Sequence, residues 1–225
     1  MSGHTLDLIH GGLIVSCQAP EGSPLRDPSI LARIAMAAED AGARAIRTEG
    51  IDTVAAVRKA VSVPVIGLVK RATSTPIYIT PTVDDVKGLI DAGADIVALD
   101  ATNRLREGGV GPEEFLAEAL EVAGSALIMA DIDDVESGVM ADRAGAHIVG
   151  TTLSGYTSGH IPDEPDLELV SLLSGKVKAA IIAEGRYSTA EQVRQALANG
   201  AHAVCIGTTL TDPWTLTKRM VAKLS

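Results

Sequence analysis

Four times along this chain a helix-like stretch ends in a small residue, then glycine and alanine, and opens into an apolar run. The copies are Ala41-Gly-Ala-Arg-Ala-Ile-Arg47, Ala92-Gly-Ala-Asp-Ile-Val-Ala-Leu-Asp100, Ala144-Gly-Ala-His-Ile-Val-Gly150 and Asn199-Gly-Ala-His-Ala-Val-Cys-Ile-Gly207. Their glycines, Gly42, Gly93, Gly145 and Gly200, are 51, 52 and 55 residues apart. Glycine at such a joint tolerates the left-handed conformation that turns a helix end into the next strand. Midway between the copies lie four more apolar runs, at residues 13–17, 63–69, 126–130 and 179–183. Eight strands at intervals of roughly 26 to 28 residues, each followed by a helix, predict an α/β fold, a single closed (βα)8 TIM barrel, as the one domain of residues 1–225. An open doubly wound sheet has fewer and less regular units.

Helix starts are well signed. Asp27-Pro28 and Asp212-Pro213 each put a cap residue before a proline at the first helical position. Thr82 with Asp85, Asp133 with Glu136 and Ser188 with Glu191 have capping-box spacing. A helix over residues 28–41 brings Ile30, Leu31, Ile34 and Ala38 to one face, as a helix on the outside of a barrel requires. The two longer loops, 71–78 and 154–164, follow strands and are expected as lids on the active face.

Function in such barrels gathers at the carboxyl ends of the strands. Read in order, those ends carry Gln18, Arg47, Lys70, Asp100, Asp131, Thr151 with Thr152, Glu184 with Gly185, and Gly207 with Thr208. The loops after strands seven and eight form the usual phosphate cup of this fold, so Gly185, Arg186, Gly207 and Thr208 are candidate phosphate-binding residues for a monophosphate ligand. The plain alternative is that these glycines only serve tight turns.

Of seven lysines, only Lys70 stands where an apolar run ends. Three readings are open to it. It can form a structural ion pair with Glu184 or Asp131, form a Schiff base with a carbonyl substrate, or act as a general base whose pKa is lowered by burial and by Arg47. Glu184, on strand seven, can face it across the mouth, so that the pair can bracket a substrate and handle protons. His147 and His202 fall at the bottom of the barrel and are expected to be structural. His160, in the 154–164 loop, is read as a solvated side chain.

Composition limits the partners. A net charge of -10 opposes general affinity for nucleic acid or anionic membrane. Aromatic residues make up 2 %, which disfavours a stacking site for bases or flavins. Cys17 and Cys205 stand inside apolar runs without CxxC spacing and read as buried free thiols of a reducing compartment. There is no N-terminal basic segment followed by an apolar one and no window of membrane-spanning length, so the chain is read as cytoplasmic. The oligomeric state is not legible, with a homodimer left open.

Several stretches resemble the N-acetylmannosamine-6-phosphate 2-epimerase family: Gly12-Leu-Ile-Val-Ser-Cys-Gln-Ala19, Pro64-Val-Ile-Gly-Leu-Val-Lys-Arg71, Ile79-Thr-Pro-Thr82, Ala94-Asp-Ile-Val-Ala-Leu-Asp-Ala-Thr102, Thr151-Thr-Leu-Ser-Gly-Tyr-Thr157 and Ile182-Ala-Glu-Gly-Arg186. The resemblance covers nearly the whole chain. It implies a phosphosugar barrel that interconverts N-acetylmannosamine 6-phosphate and N-acetylglucosamine 6-phosphate, in amino sugar and sialic acid breakdown, with no metal, nicotinamide or other cofactor. It implies proton transfer by Lys70, with Glu184 as the motif's glutamate and Gln18, Arg47 and Asp131 around the sugar. Thr152 and Tyr156 belong to the sixth-strand motif, and Arg186 and Gly207 to the phosphate end.

Two departures stand out. Asp212 precedes Pro213 where many members have arginine, and the loop Arg71-Ala-Thr-Ser-Thr-Pro76 lacks the acidic and aromatic residues common there. The expected reaction is epimerisation by deprotonation and reprotonation at carbon 2. Its rivals are a Schiff-base lyase at Lys70 and a phosphosugar sensor without turnover.

Overall fold

The structure, a computed structural model, describes residues 2–157, 159 and 161–224. The elements run α1 (Ser2–Ile9), β1 (Leu13–Cys17), α2 (Pro28–Asp40), β2 (Ala45–Glu49), α3 (Ile51–Ala60), β3 (Val65–Leu68), α4 (Val83–Asp91), β4 (Ile96–Asp100) and α5 (Pro112–Val122). They continue with β5 (Leu127–Asp131), α6 (Val135–Arg143), β6 (Ile148–Gly150), α7 (Leu167–Ser174), β7 (Ala180–Glu184), α8 (Ala190–Ala198), β8 (Ala203–Ile206), α9 (Thr208–Thr211) and α10 (Pro213–Ala222). Each strand pairs in parallel with the next, and β8 pairs with β1, closing the expected (βα)8 barrel.

All four repeat joints end a helix in the same way. The glycines have φ of 101°, 95°, 96° and 102°. Around the first, Gly42 N–H donates to Glu39 O and Ala43 N–H to Ala38 O. The same pair of bonds recurs at Gly93, Gly145 and Gly200. This arrangement satisfies the last helical carbonyls and aims the chain at the next strand.

Alternation along the strands then decides what fills the barrel and what faces the helices. Ile14, Ala45, Ile66, Leu68, Ile96, Ala98, Leu127, Met129, Ile148, Ile182, Ala203 and Cys205 form the interior cluster. Residues of the other parity, such as Val15, Ile46, Val97, Ile128 and Val204, pack against the helices. Helix α1 contributes Ile9 to the interior cluster, and His202 Nε2 lies 2.8 Å from Leu6 O. His147 Nδ1 accepts from Ile128 N–H at 3.1 Å. Both histidines therefore serve the bottom of the barrel, as expected. His160 lies outside the described residues.

The capping expectations hold in part. Asp27 accepts from Ser29 and Ile30 N–H, Asp212 accepts from Thr215 N–H, and Thr82 with Asp85 forms a full capping box. On α2 the buried face centres on Leu31, Ala32 and Ala35, with Ile34 and Ala38 at its edge. Two caps sit one residue later than the spacing suggests: Asp134 caps α6, and Thr189 with Gln192 boxes α8. Asp133-Asp134 and Ser188-Thr189 each offer two adjacent cap residues, and where the preceding strand releases the chain chooses between them.

The 71–78 loop is an arm folded back on itself. Lys70 bridges antiparallel to Ile79, Arg71 N–H donates to Tyr78 O, and Thr80 N–H donates to Val69 O. Lys70 thus stands beyond the end of β3, held by the returning arm.

Candidate active site

Strand parity carries the interior pattern up to the mouth. Arg47 follows Ala45, Asp131 follows Met129 and Glu184 follows Ile182, so all three side chains form the top layer of the barrel interior. Gly150 makes room for them, because a Cβ there would sit 2.3 Å from Met129 Cε and 3.0 Å from Asp131 Oδ1.

Arg47 is the centre of this layer, with only 1 % of its surface exposed. It grips Asp131 with two bonds, Nη1 to Oδ1 at 3.2 Å and Nη2 to Oδ2 at 2.7 Å. Nη1 also lies 2.9 Å from Glu184 Oε2, a charge contact without hydrogen-bond alignment. Thr152 Oγ1 donates to Asp131 Oδ1 at 2.6 Å. Burial works against the charge on Arg47, but Asp131 and Glu184 more than offset it and hold its pKa above the ordinary arginine value. Burial pushes Glu184 up, against the downward pull of Arg47 and Lys70. The Cys205 thiol contacts Glu184 and is itself raised by burial.

Lys70 does not join this network as an ion pair. Among the described residues its amine donates to Gln18 Oε1 at 2.7 Å, while Gln18 Nε2 is steadied by Ser16 Oγ at 2.8 Å. The structural ion pair with Glu184 or Asp131 is therefore not formed, because Arg47 already occupies both carboxylates. The amine is crowded by protein on its barrel side, and this desolvation leads the forces lowering its pKa. Glu49 opposes the shift, Arg47 supports it, and Glu184 and Asp131 oppose it. The side chain still keeps open surface at the mouth, which moderates the effect.

The expected phosphate end is built from β7 and β8. Gly185 and Arg186 both have positive φ, 107° and 65°. The Arg186 guanidinium donates to two carbonyls of the β6–α7 loop, Nη1 to Ser154 O at 2.6 Å and Nε to Glu164 O at 2.7 Å, and lies 5.5 Å from the centre of the Tyr156 ring. It therefore straps that loop to β7, a structural duty the sequence did not announce. Gly207 allows close approach of Ser16, whose Cβ would lie 3.2 Å from a Cβ at position 207. Thr208 opens the short α9. Asp100, buried at the end of β4, is taken up by Thr102 and Arg104, from which it accepts hydrogen bonds. A cavity of about 280 Å³ lies beside the arm, lined by Arg71, Thr73, Arg106 and Phe115 among others, and none of the strand-end candidates reaches it.

A family described as "Putative N-acetylmannosamine-6-phosphate epimerase" matches residues 31–225. Curated relatives of the same description include one from Caldanaerobacter subterraneus, 48% identical over 216 residues, covering 95% of this chain and 91% of the relative. Another, from Klebsiella pneumoniae, is 49% identical over 203 residues, covering 90% and 85%. The solved N-acetylmannosamine-6-phosphate 2-epimerase from Clostridium perfringens superposes with a TM-score of 0.91 at 38% identity, covering 98% of this chain and 96% of that one. This chain belongs to the N-acetylmannosamine-6-phosphate epimerase family.

Within that epimerase family, the two departures acquire physical meaning. Asp212 is 7 % exposed and caps α10, so it serves the helix rather than a ligand. Arginine at that position would remove the cap. In the arm, Tyr78 supplies an aromatic side chain that the sequence reading passed over. Burial raises its pKa, with Asp131 and Asp100 adding to the shift. Glu49 was also missed. It shares the parity of Arg47, ends β2, and is paired with Arg26 at 2.8 Å. Its parity two residues after Arg47 was the available signal.

Proposed function

We propose that this chain is an epimerase that interconverts N-acetylmannosamine 6-phosphate and N-acetylglucosamine 6-phosphate by moving a proton at carbon 2. The observation that carries the reading is the division of charge in the mouth. Arg47 occupies Asp131 and Glu184, so Lys70 keeps an amine that, among the described residues, Gln18 orients, at a pKa pulled below the ordinary lysine value. A neutral amine of that kind can take the proton from carbon 2 when carbon 1 is a carbonyl, the electron pair passing to the carbonyl oxygen. The proton then returns to the opposite face, from Glu184 across the mouth or from Lys70 itself. Burial raises the pKa of Glu184, the direction that favours a carboxyl able to donate a proton. Gln18, Thr152 and Tyr156 line the sugar, and Gly185, Arg186, Gly207 and Thr208 hold its phosphate. The activity resides in one (βα)8 domain over residues 1–225. It serves amino sugar and sialic acid breakdown in the cytoplasm, which the free buried thiols Cys17 and Cys205 suit.

Turnover in deuterated water tests this reading. Deuterium should enter carbon 2 of the product, completely if Glu184 or exchange supplies the returning proton and partially if Lys70 shields and returns its own. Product free of solvent label after many reversible turnovers would rule the mechanism out. The same experiment with unphosphorylated N-acetylmannosamine tests the phosphate cup. Labelling should then need far more sugar, and equal saturation by the two sugars would remove the cup.

A homodimer belongs to the same reading. Helix α10 buries none of its residues, and Met220, Val221 and Leu224 are 71 %, 59 % and 87 % exposed. Residues 213–224 carry Lys218, Arg219 and Lys223 with no acidic residue, whereas the chain as a whole has a net charge of -10. A basic, apolar helix on an acidic body is complementary to a second copy. Light scattering should give twice the chain mass, and Met220→Glu with Val221→Glu should halve it. A monomeric parent would overturn the assignment.

A further inference from the structure

We infer that Thr80 is the positioning residue for Lys70, its hydroxyl inserted between β3 and β4 as a spacer that sets where the lysine amine stands. This inference rests on the reading of Lys70 as the base.

Thr80 is fully buried and has φ 44°, in the left-handed region, although it is β-branched and precedes Pro81. Branching at Cβ and a following proline both disfavour that conformation, so the surroundings must hold it there. Three hydrogen bonds do so. Thr80 Oγ1 donates to Ala98 O on β4 at 2.6 Å and accepts from Val69 N–H at 3.2 Å, and Thr80 N–H donates to Val69 O at 2.8 Å. The β3–β4 register runs only through Ile66 with Ile96 and Gly67 with Val97. Beyond that point the ladder is not continued by direct backbone bonds at Val69. The link runs from Val69 N–H through the Thr80 hydroxyl to Ala98 O.

The hydroxyl, together with the arm backbone beside it, where Asp100 N–H of β4 donates to Ile79 O, therefore parts the two strands at the residue before Lys70. Without it, two buried backbone groups lose their partners, and β3 must either close onto β4 or leave them unsatisfied. Both outcomes move Val69 and, with it, Lys70. The bridge from Lys70 to Ile79 carries the same constraint from the other side, because Ile79 adjoins Thr80. Thr80 touches no substrate atom in this scheme; it acts through the backbone of Val69.

Three variants separate positioning from stability. Thr80→Ser keeps the hydroxyl and eases the branched-residue strain. Thr80→Val keeps the shape and loses the hydroxyl. Thr80→Gly loses the hydroxyl and relieves the strain, so a folded variant is obtained even if valine is poorly tolerated. The readouts are kcat and KM across pH, thermal unfolding, and acylation of the Lys70 amine against pH followed by peptide mass spectrometry. Thr80→Ser should stay within about threefold of the parent, whereas the Val and Gly variants should lose kcat by ~10 to 100-fold with KM little changed. A neutral base acts above its pKa, so activity rises with pH through it. In the Val and Gly variants the amine regains water, and both that ascending limb and the acylation midpoint should move to higher pH.

Folded Val and Gly variants with parental kcat and parental acylation midpoint would overturn the inference. So would activity losses that merely track the unfolded fraction, or a serine variant as impaired as the valine one. If the parent shows no epimerase turnover, the base assignment fails on its own, and the acylation midpoint still decides whether Thr80 positions Lys70.

Discussion

Lys70→Ala should fold as the parent does and lose turnover by ~10² to 10⁴-fold, the usual consequence of deleting a proton-transfer group. Folding should survive because the amine makes one described hydrogen bond, to Gln18, which retains Ser16 as a partner. Truncation leaves no buried charge unpaired, since Arg47 and the two carboxylates form a separate network. The measurement is kcat for epimerisation of N-acetylmannosamine 6-phosphate beside a urea unfolding curve for each protein. A Lys70→Ala enzyme within a few-fold of the parent would remove the base from the mechanism. A strongly destabilised one would instead show that the lysine carries structural load.

Arg47→Met should act on stability first. The methionine fills similar volume but leaves Asp131 and Glu184 facing each other in a buried layer without their cation. Breaking one partner out of a buried ionic network costs about 3 to 5 kcal/mol. The pH dependence has a definite sign. Burial already raises Glu184, and loss of Arg47 removes the strongest force opposing that shift. A carboxyl whose folded pKa exceeds its unfolded value binds extra protons when folded. Its stabilising contribution is present at low pH and is lost as pH rises through the folded pKa. The deficit relative to the parent should therefore be smaller near pH 5 than near pH 8, read from urea midpoints at constant slope. A variant within about 1 kcal/mol of the parent at both pH values would mean that the network is not held together by Arg47.

The architecture was readable because its determinants are local. A glycine after a helix needs only a few neighbouring carbonyls to make its turn, and alternation within a strand decides which side chains enter the barrel. Hence the four Gly-Ala joints announced strands, and strand-end position singled out Lys70, Glu184, Arg47 and Asp131 before any contact was known. Helix α1 was not foreseen: its eight residues lack a cap signal, and it is fixed by Ile9 and Leu6 meeting residues from the far end of the chain. The α6 and α8 caps slipped by one position because two neighbouring residues were chemically equivalent.

Charge pairing in the mouth was beyond reach of the sequence for a different reason. Arg47 and Asp131 are 84 residues apart, and only closure of the ring brings β2, β5 and β7 to one layer. Sequence alone left Glu184 open to Lys70, to Arg47, or to neither. Geometry gave it to Arg47, which released the lysine. The Thr80 hydroxyl belongs to the same class. Nothing near position 80 indicates that one side chain will replace a ladder bond, because the vacancy it fills exists only once β3 and β4 lie side by side and begin to part.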